Sequence, residues 1–350
     1  MMMVAIMAAV LWGTGIAMDT PKRARWIMIA ILLTVVIVLQ LILPDGHPLR
    51  EATGSDARLW ALLIAGGVLV WGYKKGLGAL RKRAAGSENA VSESKAGAFS
   101  ETELDRYARH IILREVGGPG QKALRDAKVL VVGAGGLGAP ALQYLAASGV
   151  GTIGVIDDDV VENANLQRQV IHTDDRIGMP KVHSAAEAMT AQNPFVKVRT
   201  YHRRLDAQIA SELFAEYDLI LDGTDNFATR YLVNEVAVAL GKPLIAAALT
   251  QWEGQISVYD PANDAPCYAC VFPDIPDPAL VPSCAEAGVV GPLPGVIGAM
   301  MAVEAVKLIA GAGESLRGRL LIYDALYAET RIIKAKRRVD CVVCGKSPLS

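Results

Sequence analysis

Three groups of residues in this 350-residue chain have the types and spacing to do chemistry. The first is a set of glycines. The apolar run from Val129 ends in Gly133-x-Gly135-x-x-Gly138, and Asp157 follows 19 residues after the last glycine. Gly133 permits a tight turn, Gly135 lets a phosphate approach the backbone, and Gly138 lets a following helix pack on the preceding strand. A helix that starts there offers free N–H groups and the positive end of its dipole to an anion. Asp157, at the end of the next apolar run, suits ribose hydroxyls. The pattern predicts a nucleotide site and leaves the nucleotide open.

The second group is charged. Asn165, Gln167 and Arg168 follow Asp157, and Lys181 follows Pro180. Arginine offers planar bidentate contacts to phosphate and lysine a point charge, a combination better suited to a triphosphate than to a nicotinamide dinucleotide. Asp222, Asp225 and Asn226 stand at the end of a further short apolar run. Carboxylates there suit Mg²⁺, which binds through one or two of them plus substrate phosphates. Taken singly, each of these residues reads equally well as a solvated loop charge. A dehydrogenase is disfavoured because no His or Tyr/Lys catalytic pair stands out.

The third group is the cysteines. Of five, four form Cys267-x-x-Cys270 and Cys341-x-x-Cys344, which fit a closed tetrahedral zinc site of structural type. Disulfides are the alternative and are rare in a cytoplasmic domain. Cys284 is left over, before a Gly/Pro-rich loop and a helix, a setting that can lower a thiol pKa; the opposing reading is an inert buried thiol. His47, His110, His172, His183 and His202 have no metal spacing and read as ordinary surface or loop residues.

The elements that must position these groups alternate. Strands are expected over 128–133, 151–157, 197–201, 219–221, 243–248 and 255–259. Helices are expected from 101, capped by Ser100 or Thr102, and over 139–148, 181–192, 206–215, 229–240 and 295–309. Such alternation implies an α/β fold of Rossmann type: a doubly wound, mostly parallel sheet, with a strand-rich C-terminal part.

The first hundred residues differ. Mean hydropathy is +0.30, and the excess apolarity lies in residues 1–73. Residues 26–43 form an uncharged run of 18, long enough to span a bilayer; residues 1–18 and 59–73 are further apolar runs. Basic residues at 22–25 and 74–83 orient these spans with everything after Lys74 in the cytoplasm. We therefore expect a membrane anchor of two to three transmembrane helices over 1–83, a flexible Ser/Ala/Gly/Glu-rich linker over 84–100, and a globular domain over 101–350 in the cytoplasm at the inner membrane. Formal net charge is −1, so no global field favours nucleic acid.

Taken together, RYARHIILR from Arg106, GAGGLG, NLQRQ from Asn165, Pro180-Lys181, LDGTDN from Leu221, EGQ from Glu253, PCYAC and the CAEAGVVGPLPGVIG stretch from Cys284 resemble the ThiF/MoeB/HesA family. This family is related to the ubiquitin-activating enzymes. The resemblance covers residues 101–346 and lies nearest the MoeB-type molybdopterin-synthase adenylyltransferases, which lack the N-terminal hundred residues. It implies ATP-dependent adenylation of the C-terminal Gly-Gly carboxylate of a MoaD-like, ubiquitin-fold sulfur carrier, with release of pyrophosphate. ThiS, or a carrier serving tRNA thiolation or cysteine synthesis, is the alternative substrate; a membrane-tethered, non-catalytic nucleotide-binding scaffold is the alternative class. It further implies that Gly136 lies in the phosphate turn, that Asp157 holds the ribose, and that Asn165 and Arg168 hold phosphates. Lys181 would stabilise charge at the reacting phosphate, and Asp225 would bind Mg²⁺. Arg109 would be supplied by the neighbouring subunit of a homodimer, and Cys284 would take part in sulfur or acyl transfer in some relatives.

Overall fold

The computed structural model describes residues 2–18, 20–44, 46–54, 66, 72–73, 75–76, 99–275 and 287–345. The apolar run 59–73, the linker and Cys284 thus lie wholly or largely outside the described residues. The chain divides into two compact units, Met1–Ala98 and Phe99–Ser350.

In the first unit α1 (Met2–Ala17) and α2 (Lys22–Ile42) form a hairpin. Val4 and Val36 are buried against each other and against Leu32, Leu33 and Ile37. Trp12 meets Trp26 edge-on at 5.1 Å, and the Arg25 guanidinium lies 5.7 Å from the Trp12 ring centre. The short α3 (Pro48–Thr53) is tied back by Gln40, whose Nε2 donates to Thr53 Oγ1 at 2.9 Å and to the Arg50 carbonyl at 3.0 Å. At 21 residues α2 is long and apolar enough to cross a membrane; α1, at 16 residues, is just below the usual lower limit of about 17.

The second unit opens with α4 (Glu101–Ile111), started by a capping box in which Ser100 and Glu103 exchange hydrogen bonds. It continues through α5 (Gly117–Asp126), β1 (Lys128–Val132), α6 (Gly138–Ala147), β2 (Thr152–Ile156), α7 (Lys181–Gln192) and β3 (Lys197–Tyr201). Then come α8 (Ala207–Ala215), β4 (Leu219–Asp222), α9 (Phe227–Ala239), β5 (Leu244–Leu249), β6 (Glu253–Tyr259), the single turn α10 (Tyr268–Val271), α11 (Pro292–Ala310), β7 (Arg319–Asp324) and β8 (Glu329–Lys334). The eight strands make one sheet in the order β3-β2-β1-β4-β5-β6-β7-β8. The first five are parallel and the last three join antiparallel. The expected mostly parallel sheet with a strand-rich end is what forms.

Strand alternation sends Val129 and Val131 to one face and Leu130 and Val132 to the other. The first face is covered by Leu142 and Leu145 of α6, Val182 and Met189 of α7, and Ile297 and Met301 of α11. The second is covered by Leu213 and Phe214 of α8 and Val233 of α9, with Tyr268 of α10. Although α11 is apolar enough to cross a membrane, it is a core helix here, with Leu293, Ile297, Met301 and Ala305 almost fully buried. α5 carries no local helix signal, because its first residues, Gly117-Gly118-Pro119-Gly120, are those of a turn.

Candidate active site

Chain order reverses across β1. The helix after β1 packs on one face of the sheet and the helix after β4 on the other, so the connections that follow these two paired strands diverge at their carboxyl ends. Ligands of doubly wound sheets bind at such a switch point. Val132 pairs with both Ile156 and Asp222, so the three loops that follow these strands leave the sheet at one edge. They touch: a Cβ on Gly133 would lie 3.3 Å from the Gly223 carbonyl oxygen.

The glycine turn behaves as its spacing predicts. Gly133 sits at φ +91°, a region L side chains avoid. A Cβ on Gly138 would meet the Gly133 carbonyl oxygen at 1.9 Å, so only glycine lets α6 start this close to β1. The N–H groups of Gly135, Gly136 and Leu137 have no acceptor among the described residues. Consecutive unpaired N–H groups ahead of a helix make a concavity suited to an anion. Asp157 braces the turn: Oδ2 accepts from Ala134 N–H at 2.7 Å and Oδ1 from Asp159 N–H at 2.8 Å. Each oxygen keeps lone pairs for a ribose hydroxyl.

The residues after β2 fold back toward this turn. Arg168 donates to Asn165 Oδ1 at 3.2 Å and to the Ala164 carbonyl at 3.1 Å, and its Cδ would lie 3.9 Å from a Cβ on Gly136. Asn165 and Arg168 are therefore a joined pair, with the guanidinium stem beside the turn. Gln167 is exposed and packs on Gly291 at the start of α11, where a Cβ would lie 2.7 Å from Gln167 Oε1. Its neighbour Gln169 takes the place by the turn. Gln169 is buried, with Nε2 3.6 Å from where a Gly135 Cβ would be, and its Oε1 has no partner. Such an orphaned acceptor fits a ligand's donor.

Lys181 opens α7 and is 4 % exposed. Its ammonium pairs with Asp159 at 2.7 Å. The charge is thus held at the same strand end as Asp157, and Asp159 is the partner the sequence did not signal.

The loop after β4 carries two carboxylates in different settings. Asp222 is 1 % exposed, and its Oδ1 accepts from Thr224 N–H at 2.9 Å and Oγ1 at 2.6 Å. It shapes the loop through Oδ1, while its buried Oδ2 has no partner among the described residues. Asp225 is exposed and makes no hydrogen bond or ion pair among the described residues, which fits a site for Mg²⁺. Asn226 Oδ1 accepts from Thr229 N–H at 2.9 Å and caps α9. Arg230 of α9 donates to the Thr224 carbonyl and fastens the loop from behind.

Cys267, Cys270, Cys341 and Cys344 are all buried, with sulfur atoms within 4.8 Å of one another. Three of the pairs lie 3.8, 3.5 and 3.4 Å apart. Tetrahedral zinc with Zn–S of about 2.3 Å needs edges of about 3.8 Å, so the thiols fit a closed four-sulfur site. Burial pushes the Cys267 and Cys270 thiols up. Burial opposes the Cys341 thiolate too, but N–H groups of Cys344 and Val343 and the neighbouring thiols outweigh it and bring Cys341 down to about 7. The Tyr268 N–H, between the first two cysteines, donates to Asn234 Oδ1 at 2.8 Å and ties the cluster to α9.

Arg109 is exposed on α4 and makes no hydrogen bond or ion pair among the described residues. His172 lies in a loop, as expected, but departs from the reading of an ordinary histidine in being buried. It is 4 % exposed, with Nε2 3.0 Å from the Ala134 carbonyl and Nδ1 2.9 Å from Ser184 Oγ. Burial is the main cause that lowers its pKa; Lys181 and Arg176 add to this, while the Ala134 carbonyl and Asp157 oppose it. The unfolded chain then takes up this proton at higher pH than the folded one, so stability falls as pH drops through the ordinary histidine value toward the folded one. Melting from about pH 7.5 to about pH 5.5 is expected to destabilise the wild type more than His172→Gln; parallel pH profiles would contradict this.

A family profile described as the ThiF family matches residues 107–343. A sulfur carrier protein adenylyltransferase of Thermus thermophilus is 50 % identical over 254 residues, covering 71 % of this chain and 94 % of that protein. A SAMP-activating enzyme E1 of Haloferax volcanii is 51 % identical over 245 residues, covering 70 % and 90 % respectively. Among solved structures, E. coli MccB with AMPCPP and MccA superposes with a TM-score of 0.62 at 25 % identity, over 71 % of this chain and 76 % of that one. With the ThiF match spanning more than half of its length, and relatives half-identical across nearly their whole sequences, the chain belongs to the ThiF family.

Proposed function

We propose that this chain adenylates the C-terminal Gly-Gly carboxylate of a ubiquitin-fold sulfur carrier, using Mg-ATP. The observation that carries the reading is the gathering of the open glycine turn, Arg168, Lys181 and Asp225 on three loops at one sheet edge. Half-identity to a protein named as a sulfur carrier protein adenylyltransferase supports it. In the reaction a carboxylate oxygen bonds to the α-phosphorus, the bond from that phosphorus to the bridging oxygen breaks, and pyrophosphate leaves with the electron pair. No protein nucleophile is required; positioning and charge stabilisation are. The N–H groups of residues 135–137 and Arg168 would hold phosphate oxygens, Asp157 the ribose, and Lys181 the charge that grows at the α-phosphate. Asp225 would hold Mg²⁺, which neutralises phosphate charge when bound. A MoaD-like carrier in molybdopterin synthesis is our preferred substrate, with ThiS or another sulfur carrier as the second reading.

The exposed Arg109, with no hydrogen bond or ion pair among the described residues, supports a homodimer in which each subunit completes the other's site. Carrier-dependent ATP–pyrophosphate exchange is expected from the purified wild type. Asp225→Ala and Arg109→Ala should each lose exchange by roughly a hundredfold, the scale of removing one charge-stabilising group. Mixing the two variants should restore part of it, because one site of each mixed dimer is complete. No exchange with any Gly-Gly carrier would contradict the reaction, and a mixture as inactive as its parents would contradict the shared site.

The four-cysteine cluster is proposed to hold structural zinc, binding the α10 turn to the C-terminal segment. Metal analysis should find about one zinc per chain, lost in Cys267→Ser together with thermal stability; a metal-free wild type of normal stability would refute it.

Residues 1–83 are proposed to anchor the enzyme in the inner membrane with the catalytic unit in the cytoplasm. The length of α2 and its uncovered apolar surface support this, as do the basic residues from Lys74 to Arg83. The full chain should sediment with membranes and need detergent for release; recovery in the soluble fraction would contradict the anchor.

A further inference from the structure

His172 has no place in the adenylation chemistry, yet it is buried beside the phosphate turn. A carbonyl oxygen can only accept, so the 3.0 Å contact with Ala134 fixes the proton on Nε2. In the neutral ring Nδ1 is then an acceptor, and Ser184 Oγ, itself fully buried, donates to it at 2.9 Å. Ser184 lies three residues after Lys181 in α7. His172 therefore joins the turn to the helix that carries the lysine.

The consequence for the turn follows from peptide geometry. In a planar trans peptide the C=O and the following N–H point in opposite directions. The Ala134 carbonyl points inward to His172, so the Gly135 N–H of the same peptide unit points the other way, where no acceptor among the described residues meets it. The peptide before Ala134 is pinned separately, its N–H donating to Asp157 Oδ2 at 2.7 Å. The Ala134–Gly135 unit is the one free to flip, because Gly135 lacks a Cβ and tolerates either orientation.

We propose that His172 is a positioning residue for phosphate binding: its Nε2–H holds the Ala134 carbonyl inward and keeps the Gly135 N–H facing the nucleotide phosphates. The proposal rests on the nucleotide site argued above. It predicts a defect confined to the phosphate half of the ligand, since Asp157 and the rest of the nucleoside site do not depend on this hydrogen bond.

The test is calorimetric binding of ATP and of adenosine to the full chain in mild detergent, without carrier. The variants are His172→Leu, His172→Asn and His172→Gln; glutamine can place an N–H near the Nε2 position, whereas asparagine reaches only the Nδ1 position. His172→Leu and His172→Asn should weaken ATP about tenfold or more, the scale of one hydrogen bond to a charged group, and leave adenosine within about twofold. His172→Gln should recover most of the ATP affinity. ATP binding of His172→Leu equal to wild type would overturn the proposal, as would equal losses for ATP and adenosine that track melting temperature across all three variants. A wild type that binds neither ligand would overturn the nucleotide site itself, which is a separate failure.

Discussion

Parallel pairing of β1 with both β2 and β4 is the constraint on which the site depends. Val132, Ile156 and Asp222 stand level in adjacent strands, so the residues that follow them are delivered to one edge with no further design. The glycine turn, Asp157 and the Gly223–Asn226 loop then meet because they have nowhere else to go. Glycine at 133 and 138 is the condition for closeness: any side chain at 138 would collide with the Gly133 carbonyl. Arg168 and Lys181 reach the same edge from the segment between β2 and α7, which doubles back on itself through the Val160–Pro180 bridge.

A second layer of buried polar groups keeps that edge in order. Asp157 and His172 hold the two sides of Ala134, Asp222 folds the loop that presents Asp225, and Arg230 fastens the same loop from α9. The cysteine cluster is linked to this layer through Tyr268 and Asn234. The outward-facing groups can be few because their orientations are set from inside. For a reaction that needs charge placed correctly more than it needs covalent help, this is the appropriate division of labour.

Much of this was readable in the sequence. The strand–glycine turn–helix unit and the run 181–192, opened after Pro180, were recovered because their signals are local. Orientation was not readable. Gln167 and Gln169 are chemically identical, and only the fold decides that the first faces Gly291 and the second the turn. Asp222 and Asp225 share one loop, and burial alone separates the loop-former from the exposed carboxylate. His172 carries no periodic or metal spacing; its role comes from two partners, Ala134 and Ser184, that lie 38 and 12 residues away. The helix Gly117–Asp126 was hidden by turn-forming residues that tertiary packing overrode.

The central claim is that the α-phosphate is transferred to a carrier's terminal carboxylate. Intact-mass analysis of a carrier ending in Gly-Gly, incubated with this chain, Mg-ATP and pyrophosphatase, tests it most directly. The account predicts that the carrier gains the mass of one adenylyl group and that a carrier lacking its last glycine does not. ATP turned over to ADP and phosphate, or a carrier of unchanged mass beside bound ATP, would contradict it.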